Sequence, residues 1–258
     1  SWVKNEKALR QHTPYLAQLW QVLRLLNPEI IMTLGPLAAR IPMENLHVRN
    51  ELLGIIESKA GQEPELLRTL LANADEQVNL LLAPLVAGLM RVDAARIYLQ
   101  MTRHGSAEVR KAGLDNYMQI AAKPYFTDLH HLLGDEDARV RERIISYLFH
   151  AGPETAEAQL IRFLEEAKKD TARDHKQIFE LYRALADCRA GSALPFLEKT
   201  LLESRLTGMF SNSSTVHIKG AALALRTIGS EEALAILKKG GRSMRPDVRL
   251  ACQHVLKR

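Results

Sequence analysis

Nine histidines are the side chains of widest chemical use in this sequence, since histidine binds metals and transfers protons near neutral pH. None lies in H-E-x-x-H or in another spacing that would place two metal ligands on one helix face. His130 and His131 are adjacent, and neighbouring residues on a helix point about 100° apart, so the two cannot easily face one metal. We expect one of the pair to be partly buried and the other solvated, and the sequence predicts no metal site.

The cysteines and carboxylates show no catalytic arrangement either. Cys188 and Cys252 are 64 positions apart and form no C-x-x-C pair, which argues against a zinc module and a disulfide framework. Both fall in apolar helical segments, so we expect buried core residues rather than nucleophiles. Gly240-Gly241 lacks the context of a phosphate-binding loop. The sequence therefore predicts neither an enzyme nor a bound cofactor.

Positive charge is concentrated at the C-terminal end of the chain. There are 35 Lys+Arg and 30 Asp+Glu, a formal net charge of +5, yet residues 206–258 alone contain nine basic and three acidic residues and so carry +6. Five of the cations lie close together in KKGGRSMRPDVR, and four of them are candidate binding residues: Lys238, Lys239, Arg242 and Arg245. Such a loop cluster can bind phosphates or an acidic protein surface. Cations near helix C-termini also complement the helix dipole, so both interpretations stay open.

The elements that position these residues are predicted to be helices throughout. Apolar residues recur at helical spacing, and no segment shows the alternation of a strand. Helix starts are indicated by a capping residue or a proline, at Thr13-Pro14, Asn27-Pro28-Glu29, Pro64-Glu65, Pro124, Pro153-Glu154 and Ser230-Glu231-Glu232. Helix ends are indicated by Gly61, Gly105, Gly152, Gly191 and Gly229.

A repeated helical frame organises the chain. The segment VRERIISYLFHAG begins at Val140, and much of its pattern returns elsewhere, so that frames begin at Val48, Val78, Val109, Val140, Gln177, His217 and Val248. Their spacings are 30, 31, 31, 37, 40 and 31 residues. Most frames are followed by a second apolar helix, predicted over residues 64–72, 93–102, 124–133, 153–167, 192–202 and 230–239. One such unit cannot bury its apolar face alone, so neighbouring units are expected to stack on a shared core.

These spacings predict a single repeat domain over residues 1–258. It comprises a degenerate N-terminal unit (1–46), regular repeats (47–167) and repeats with longer loops (168–258), with insertions at 168–176 and 206–215. The sequence begins with Ser1 rather than Met, and we expect it to be part of a longer protein. The longest apolar run, residues 80–90, is too short to span a bilayer, and the sequence does not open with a basic n-region followed by an apolar h-region, so we expect a cytoplasmic location.

The frame V-R-x-x-A-x-x-A-L-x-x-x-G, on a unit of about 31 residues, resembles the short bacterial HEAT repeats that also occur in phycobilin lyases. The Val-Arg pair is intact in four frames, and residues 135–164 are the best single copy, whereas Asn79 replaces the arginine in the frame at Val78. The resemblance implies an all-α fold, a right-handed α-solenoid of about seven to eight two-helix repeats. HEAT-type iron-binding hydroxylases use His-Glu dipeptides as ligands, and this sequence contains none.

The frame arginines, Arg49, Arg110, Arg141 and Arg249, have two interpretations. They could form a row of exposed cations that bind a ligand. They could instead bond an acidic group or a helix-end carbonyl of the neighbouring unit, which their regular placement at the start of a first helix favours.

The resemblance implies a scaffold, so we expect a non-enzymatic module that binds another protein, or another domain of the same chain, through its concave face or edge loops. The candidate side chains on or beside second helices are Arg96, Arg103, Tyr125, His130 and Arg162. Two alternatives stay open. One is nucleic-acid binding through the basic C-terminal units, although aromatic side chains for base stacking are scarce there. The other is a HEAT-type bilin lyase.

Overall fold

The computed structural model describes residues 13–121, 124–168, 174–189, 192–202 and 212–257. These residues form α-helices and short 3-10 helices, with no β-strand among them. The prediction of an all-α chain is therefore confirmed. Within these residues no helix is both long enough and apolar enough to cross a membrane. The chain divides into two compact units, residues Ser1–Pro124 and Tyr125–Arg258.

The N-terminal unit contains seven α-helices among its described residues: α1 Thr13–Leu25, α2 Ile31–Arg40, α3 Leu46–Gln62, α4 Pro64–Asn73, α5 Glu76–Val86, α6 Arg91–Met101 and α7 Ala107–Ile120. The first helices of successive two-helix repeats, α3, α5 and α7, contact one another in series. The second helices, α2, α4 and α6, do the same. Two layers of helices thus enclose a core of aliphatic side chains, which includes Ile56, Leu67 and Leu82.

The C-terminal unit repeats this arrangement with eight α-helices among its described residues: α8 Phe126–Leu129, α9 Ala138–Ala151, α10 Pro153–Ala167, α11 His175–Cys188, α12 Ala193–Leu202, α13 Asn212–Ile228, α14 Glu231–Gly240 and α15 Pro246–Leu256. The first helices α11, α13 and α15 contact one another in series, as do the second helices α10, α12 and α14. The predicted helix–turn–helix units are therefore present in both parts of the chain.

The predicted frames coincide closely with the first helices. Val48, Val78, Val109 and Val140 each lie at the third position of a helix, and the frames at Gln177 and Val248 have the same offset. Side-chain caps fix several of these starts, because an aspartate before the helix accepts a hydrogen bond from a first-turn amide. Asp75 accepts from Val78 N–H at 3.0 Å, and the two other aspartate caps of this kind are Asp137 and Asp174.

Close contact between helices requires glycine at Gly113 of α7. A Cβ added there would lie 2.8 Å from the Tyr98 carbonyl oxygen and 2.7 Å from the Met101 Cβ, both on α6. These atoms belong to backbone or to the base of a side chain, so they cannot easily move away. Gly54 on α3 differs, because a Cβ there would meet no atom within 4 Å.

Two expected boundaries differ from the structure. Helix α3 continues through Gly61 to Gln62, because the break is set by Pro64, whose ring disfavours helical backbone at the preceding Glu63. The second helix predicted over 124–133 is only the short α8 followed by a 3-10 helix, His130–Gly134. Gly152 and Gly229 do end helices with positive φ, as predicted. Gly191 and most of the predicted insertions, 169–173 and 203–211, lie outside the described residues.

Candidate functional site

An open groove of about 780 Å³ lies between α11, α13 and α15 of the C-terminal unit and is named here the C-terminal groove. All three helices are first helices of their repeats. The groove therefore lies on the first-helix layer, whereas the binding surface predicted from the sequence lies on second helices or edge loops. That placement stays a prediction.

The floor of the C-terminal groove is apolar. Phe179 from α11, Leu223 from α13 and Leu250 from α15 line it. Phe179 and Leu223 are half-buried, and the side chain of Leu250 is 64% exposed. Exposed aliphatic surface that is gathered into a concavity is typical of binding sites, because burying it against a ligand is favourable.

The rim of the C-terminal groove is cationic. Lys219 and Arg226 from α13 and Lys257 at the end of α15 line it and are exposed. None of the three has an ion-pair partner among the residues that the structure describes. The one carboxylate that lines the groove, Asp247, accepts a hydrogen bond from Arg245 at 2.6 Å. The groove thus combines an apolar floor with positive charge that is not neutralised by those residues.

The predicted candidates of the N-terminal unit are two exposed arginines. Arg96 lies on α6 with 65% of its side chain exposed, and its Nη1 is 4.0 Å from Asp93 Oδ1. Arg103 is exposed in the turn that follows α6. Their role as partner-binding residues stays a prediction.

The structure brings two of the predicted residues together, His130 and Arg162. Glu166 on α10 lies between them, 3.2 Å from His130 Nε2 and 3.2 Å from Arg162 Nε. His130 packs its ring 5.2 Å from that of Phe163, and burial lowers its pKa although Glu166 acts in the opposite direction. Only 11% of the His130 side chain is exposed, so it offers little surface to a partner. His131 is exposed, which confirms the expected difference within the pair.

Tyr125 immediately precedes α8, and 67% of its surface is exposed. Its candidate role also stays a prediction.

The four clustered C-terminal cations are in different environments. Lys239 pairs with Glu198 of α12 at 2.9 Å, and Arg245 pairs with Asp247 at 2.6 Å. Lys238 and Arg242 are exposed and have no ion-pair partner within the described part of the chain. None of these four residues lines the C-terminal groove. Sequence reasoning missed the groove cations Lys219, Arg226 and Lys257 as a site, although it counted them in the basic segment.

The frame arginines bond to the chain itself, as their regular placement predicted. Arg110 donates to the carbonyls of His104 and Gly105 at 2.9 and 2.8 Å, and Arg249 donates to that of Ser243 at 3.0 Å. The acceptors belong to the turn that enters the same helix, rather than to a helix end of another unit. Asn79 substitutes for the arginine in its frame, because its Nδ2 lies 3.0 to 3.1 Å from the carbonyl oxygens of Leu71, Ala74 and Asp75.

Arg49 instead donates to the carbonyl of Ile41, the C-cap residue of α2, and so it does bond a helix end of the preceding repeat, as predicted. Arg141 bonds most extensively. Its Nη1 donates to the carbonyls of Asp135 and Glu136 at 2.7 and 3.1 Å, and its Nη2 donates to Glu180 of α11 at 2.7 Å. The contact with Glu180 therefore reaches the next two-helix repeat, as predicted. These arginines therefore fix the turns between helices.

A buried polar cluster joins α10, α11, α12 and α13. The Tyr182 hydroxyl lies 3.0 Å from His217 Nδ1, and Lys168 Nζ donates to Thr200 Oγ1 at 2.7 Å. Burial, together with the positive charge of Lys168, lowers the pKa of His217 to about 4. Burial also raises the pKa of Tyr182. The cluster is tightly hydrogen-bonded and does not line the C-terminal groove.

The two cysteines are buried and free, as predicted. Burial raises the pKa of Cys188 to about 12 and that of Cys252 to about 11, so both stay protonated thiols near neutral pH. Among the described residues, no group of three or more His, Cys, Asp or Glu side chains is placed to hold a metal ion.

The fold defines this chain as an all-helical protein built from two-helix repeats. No protein-family model matches the chain, and a comparison with curated proteins finds no match. Among solved structures, the chain is similar to human deoxyhypusine hydroxylase in complex with glycerol, with 17% sequence identity and a TM-score of 0.36 over 89% of this chain and 96% of the other. A TM-score this low supports no statement about function, so the fold assignment rests on the helices themselves.

Proposed function

We propose that this chain is a non-enzymatic binding module whose C-terminal groove holds a segment of another protein, or of another domain of the same chain. The observation that carries the proposal is the groove itself. Its floor presents Leu250 to solvent from the middle of a helix, and Phe179 and Leu223 continue the apolar surface across two more helices. Burial of such a surface is the usual source of affinity in helix-groove recognition.

The repeat architecture supports the same proposal. Stacked two-helix units expose a row of helices along each layer, and such rows form extended binding surfaces in helical repeat proteins. Here three first helices supply the floor and the rim together, so the surface depends on at least three repeats.

Selection of peptides from a random library displayed on phage tests this function directly. We expect the wild-type chain to enrich peptides that lose binding to the Leu250→Asp variant, because an aspartate would place a charge on the apolar floor. Met244→Asp is the matched control, since Met244 is 93% exposed and does not line the groove. Circular dichroism would establish that both variants keep the helical fold. Peptides that bind both variants equally, or no enrichment at all, would contradict the proposal.

Nucleic-acid binding is a second candidate, favoured by the exposed cations Lys238 and Arg242 on the basic C-terminal segment. Binding of a labelled DNA duplex should then weaken steeply as salt is added, because released counterions dominate such affinity. It should also weaken in the Lys238→Glu, Arg242→Glu double variant. Duplex affinity that is independent of salt would exclude this candidate.

A further inference from the structure

We infer that the C-terminal groove accepts an acidic amphipathic helix, an inference that rests on the proposed function and names the chemistry of the partner. Three features of the groove carry it: the spacing of its lining residues along two helices, the excess of cations on its rim, and the aliphatic character of its floor.

The lining residues of α13 form one stripe along the helix. Lys219, Leu223 and Arg226 are four and three positions apart, so they share a face, with the leucine between the two cations. Lys219 and Arg226 are therefore separated by about 10 Å along the helix axis, at about 1.5 Å per residue. That length is two helical turns, a distance that acidic side chains on a partner helix can match.

A second stripe on α15 faces the same groove. Leu250 lies near its centre, and Lys257 lies seven residues further along, again about two turns away. The stripe on α13 therefore presents a leucine between two cations, and the stripe on α15 presents Leu250 between Lys257 and Asp247, a carboxylate that already pairs with Arg245. A ligand that complements both must show a narrow apolar face flanked by negative charge, which a helix with 3.6-residue periodicity provides.

The charge balance of the groove favours a negative partner. Lys219, Arg226 and Lys257 have no ion-pair partner among the described residues, and the lining carboxylate of Asp247 is already held by Arg245. A basic peptide would therefore meet like charge from three side chains. An acidic peptide would gain both attraction on approach and charge-assisted hydrogen bonds on docking.

The floor distinguishes a peptide from a nucleic acid. Single-stranded nucleic acids bind on several aromatic side chains that stack with successive bases, whereas Phe179 and the imidazole of His254 are the only aromatic rings among the residues that line the described groove. The aliphatic Leu223 and Leu250 suit the apolar face of a peptide helix instead.

Fluorescence anisotropy with three designed peptides tests the inference. Each would be an 18-residue helix with leucines on one face, flanked by glutamate, glutamine or lysine. We expect the glutamate peptide to bind at least about tenfold more tightly than the glutamine peptide, and the lysine peptide to bind most weakly. Raising NaCl from about 50 mM to about 500 mM should weaken the binding of the glutamate peptide, because exposed charges are screened.

Matched charge reversals locate the effect. The Lys219→Glu, Arg226→Glu double variant should lose at least about tenfold in affinity for the glutamate peptide. The control is Lys238→Glu, Arg242→Glu, which changes the net charge by the same amount at exposed residues outside the groove. Its affinity should stay within about twofold of wild type, since distant exposed charges are screened.

Each outcome decides between the two proposals. Suppose that the glutamine or lysine peptide binds as tightly as the glutamate peptide and that this binding is lost in the Leu250→Asp variant. The groove then binds peptides, but the inference of an acidic partner is refuted. If both double variants lose affinity equally, attraction reflects net charge alone, and the inference is refuted. If none of the three peptides binds, the inference is also refuted, while the library selection decides the proposed function separately. Preferential binding of a single-stranded oligonucleotide in this groove would overturn both.

Discussion

Replacement of Arg141 by methionine tests whether the frame arginines hold the repeats together. The Arg141 side chain is only 5% exposed, and it donates to the Asp135 and Glu136 carbonyls and to the Glu180 carboxylate. Methionine fills much of the same volume but removes every one of these donors. The variant therefore isolates the hydrogen bonds from the packing of the side chain.

The magnitude follows from the partners that are left behind. Breaking a buried ion pair costs about 3 to 5 kcal/mol, because the remaining charge stays desolvated. Glu180 is 34% exposed and can regain water, and the Asp135 carbonyl also accepts a hydrogen bond from Gln177 at 3.2 Å, so the lower end applies. We expect Arg141→Met to lower the free energy of unfolding by about 3 kcal/mol.

Arg249→Met is the matched comparison within the same unit. Arg249 occupies the equivalent frame position on α15, yet its guanidinium makes one hydrogen bond, to the Ser243 carbonyl. We expect a loss of about 1 kcal/mol. Urea unfolding followed by circular dichroism would measure both, and the slope with denaturant should stay unchanged. Equal losses in the two variants, or a loss below about 1 kcal/mol at Arg141, would refute the reasoning.

Three further predictions concern other parts of the fold. Gly113→Ala should destabilise the protein by about 1 to 3 kcal/mol through a clash with the backbone of α6, whereas Gly54→Ala should stabilise it by about 0.5 to 1 kcal/mol through helix propensity. Thermal or urea unfolding of both variants checks the opposite signs. The pKa of His217 is about 4 in the folded protein, below the value of about 6.5 expected after unfolding. The unfolded state therefore binds more protons between these values, so stability falls with falling pH, by about 2 kcal/mol from pH 7 to pH 5. The His217→Gln variant should lose this contribution, so its free energy of unfolding, measured in urea, should differ less between pH 7 and pH 5 than that of the wild type. Cys188 and Cys252 should resist a thiol reagent at pH 8 in the native state and react once the protein is unfolded; rapid reaction of the native protein would show that these helices open.

The positions of the helices were largely predictable because their signals are local. The frames at Val48, Val78, Val109 and Val140 fall at the same position of four helices, since the apolar pattern acts within a few residues. The helices at Val78 and Val140 also have a capping aspartate, Asp75 or Asp137. The exception at 124–133 has a local cause as well. Buried Phe126, Leu129 and Leu132 are three residues apart, a spacing that suits the 3-10 helix into which the segment continues.

The roles of the charged residues were only partly predictable. Bonding of the frame arginines to the chain followed from their repeated position at a helix start. The C-terminal cations do not recur at a fixed position of the repeat, so their partners could not be predicted. Lys239 and Lys238 are an example. They are neighbours in sequence, yet one pairs with Glu198, 41 positions away, while the other does not.

The all-helical chain of two-helix repeats and the positive charge at its C-terminal end were predictable from the sequence, because helix periodicity, caps and charge counts are properties of neighbouring residues. The position of the C-terminal groove was not predictable, because it depends on how helices pack. Phe179, Leu223 and Leu250 come from three helices of successive repeats, and packing of those first helices brings them to one groove. Packing also determines which acidic groups reach which cations, and so leaves Lys219 and Arg226 unpaired among the described residues on the rim of that groove.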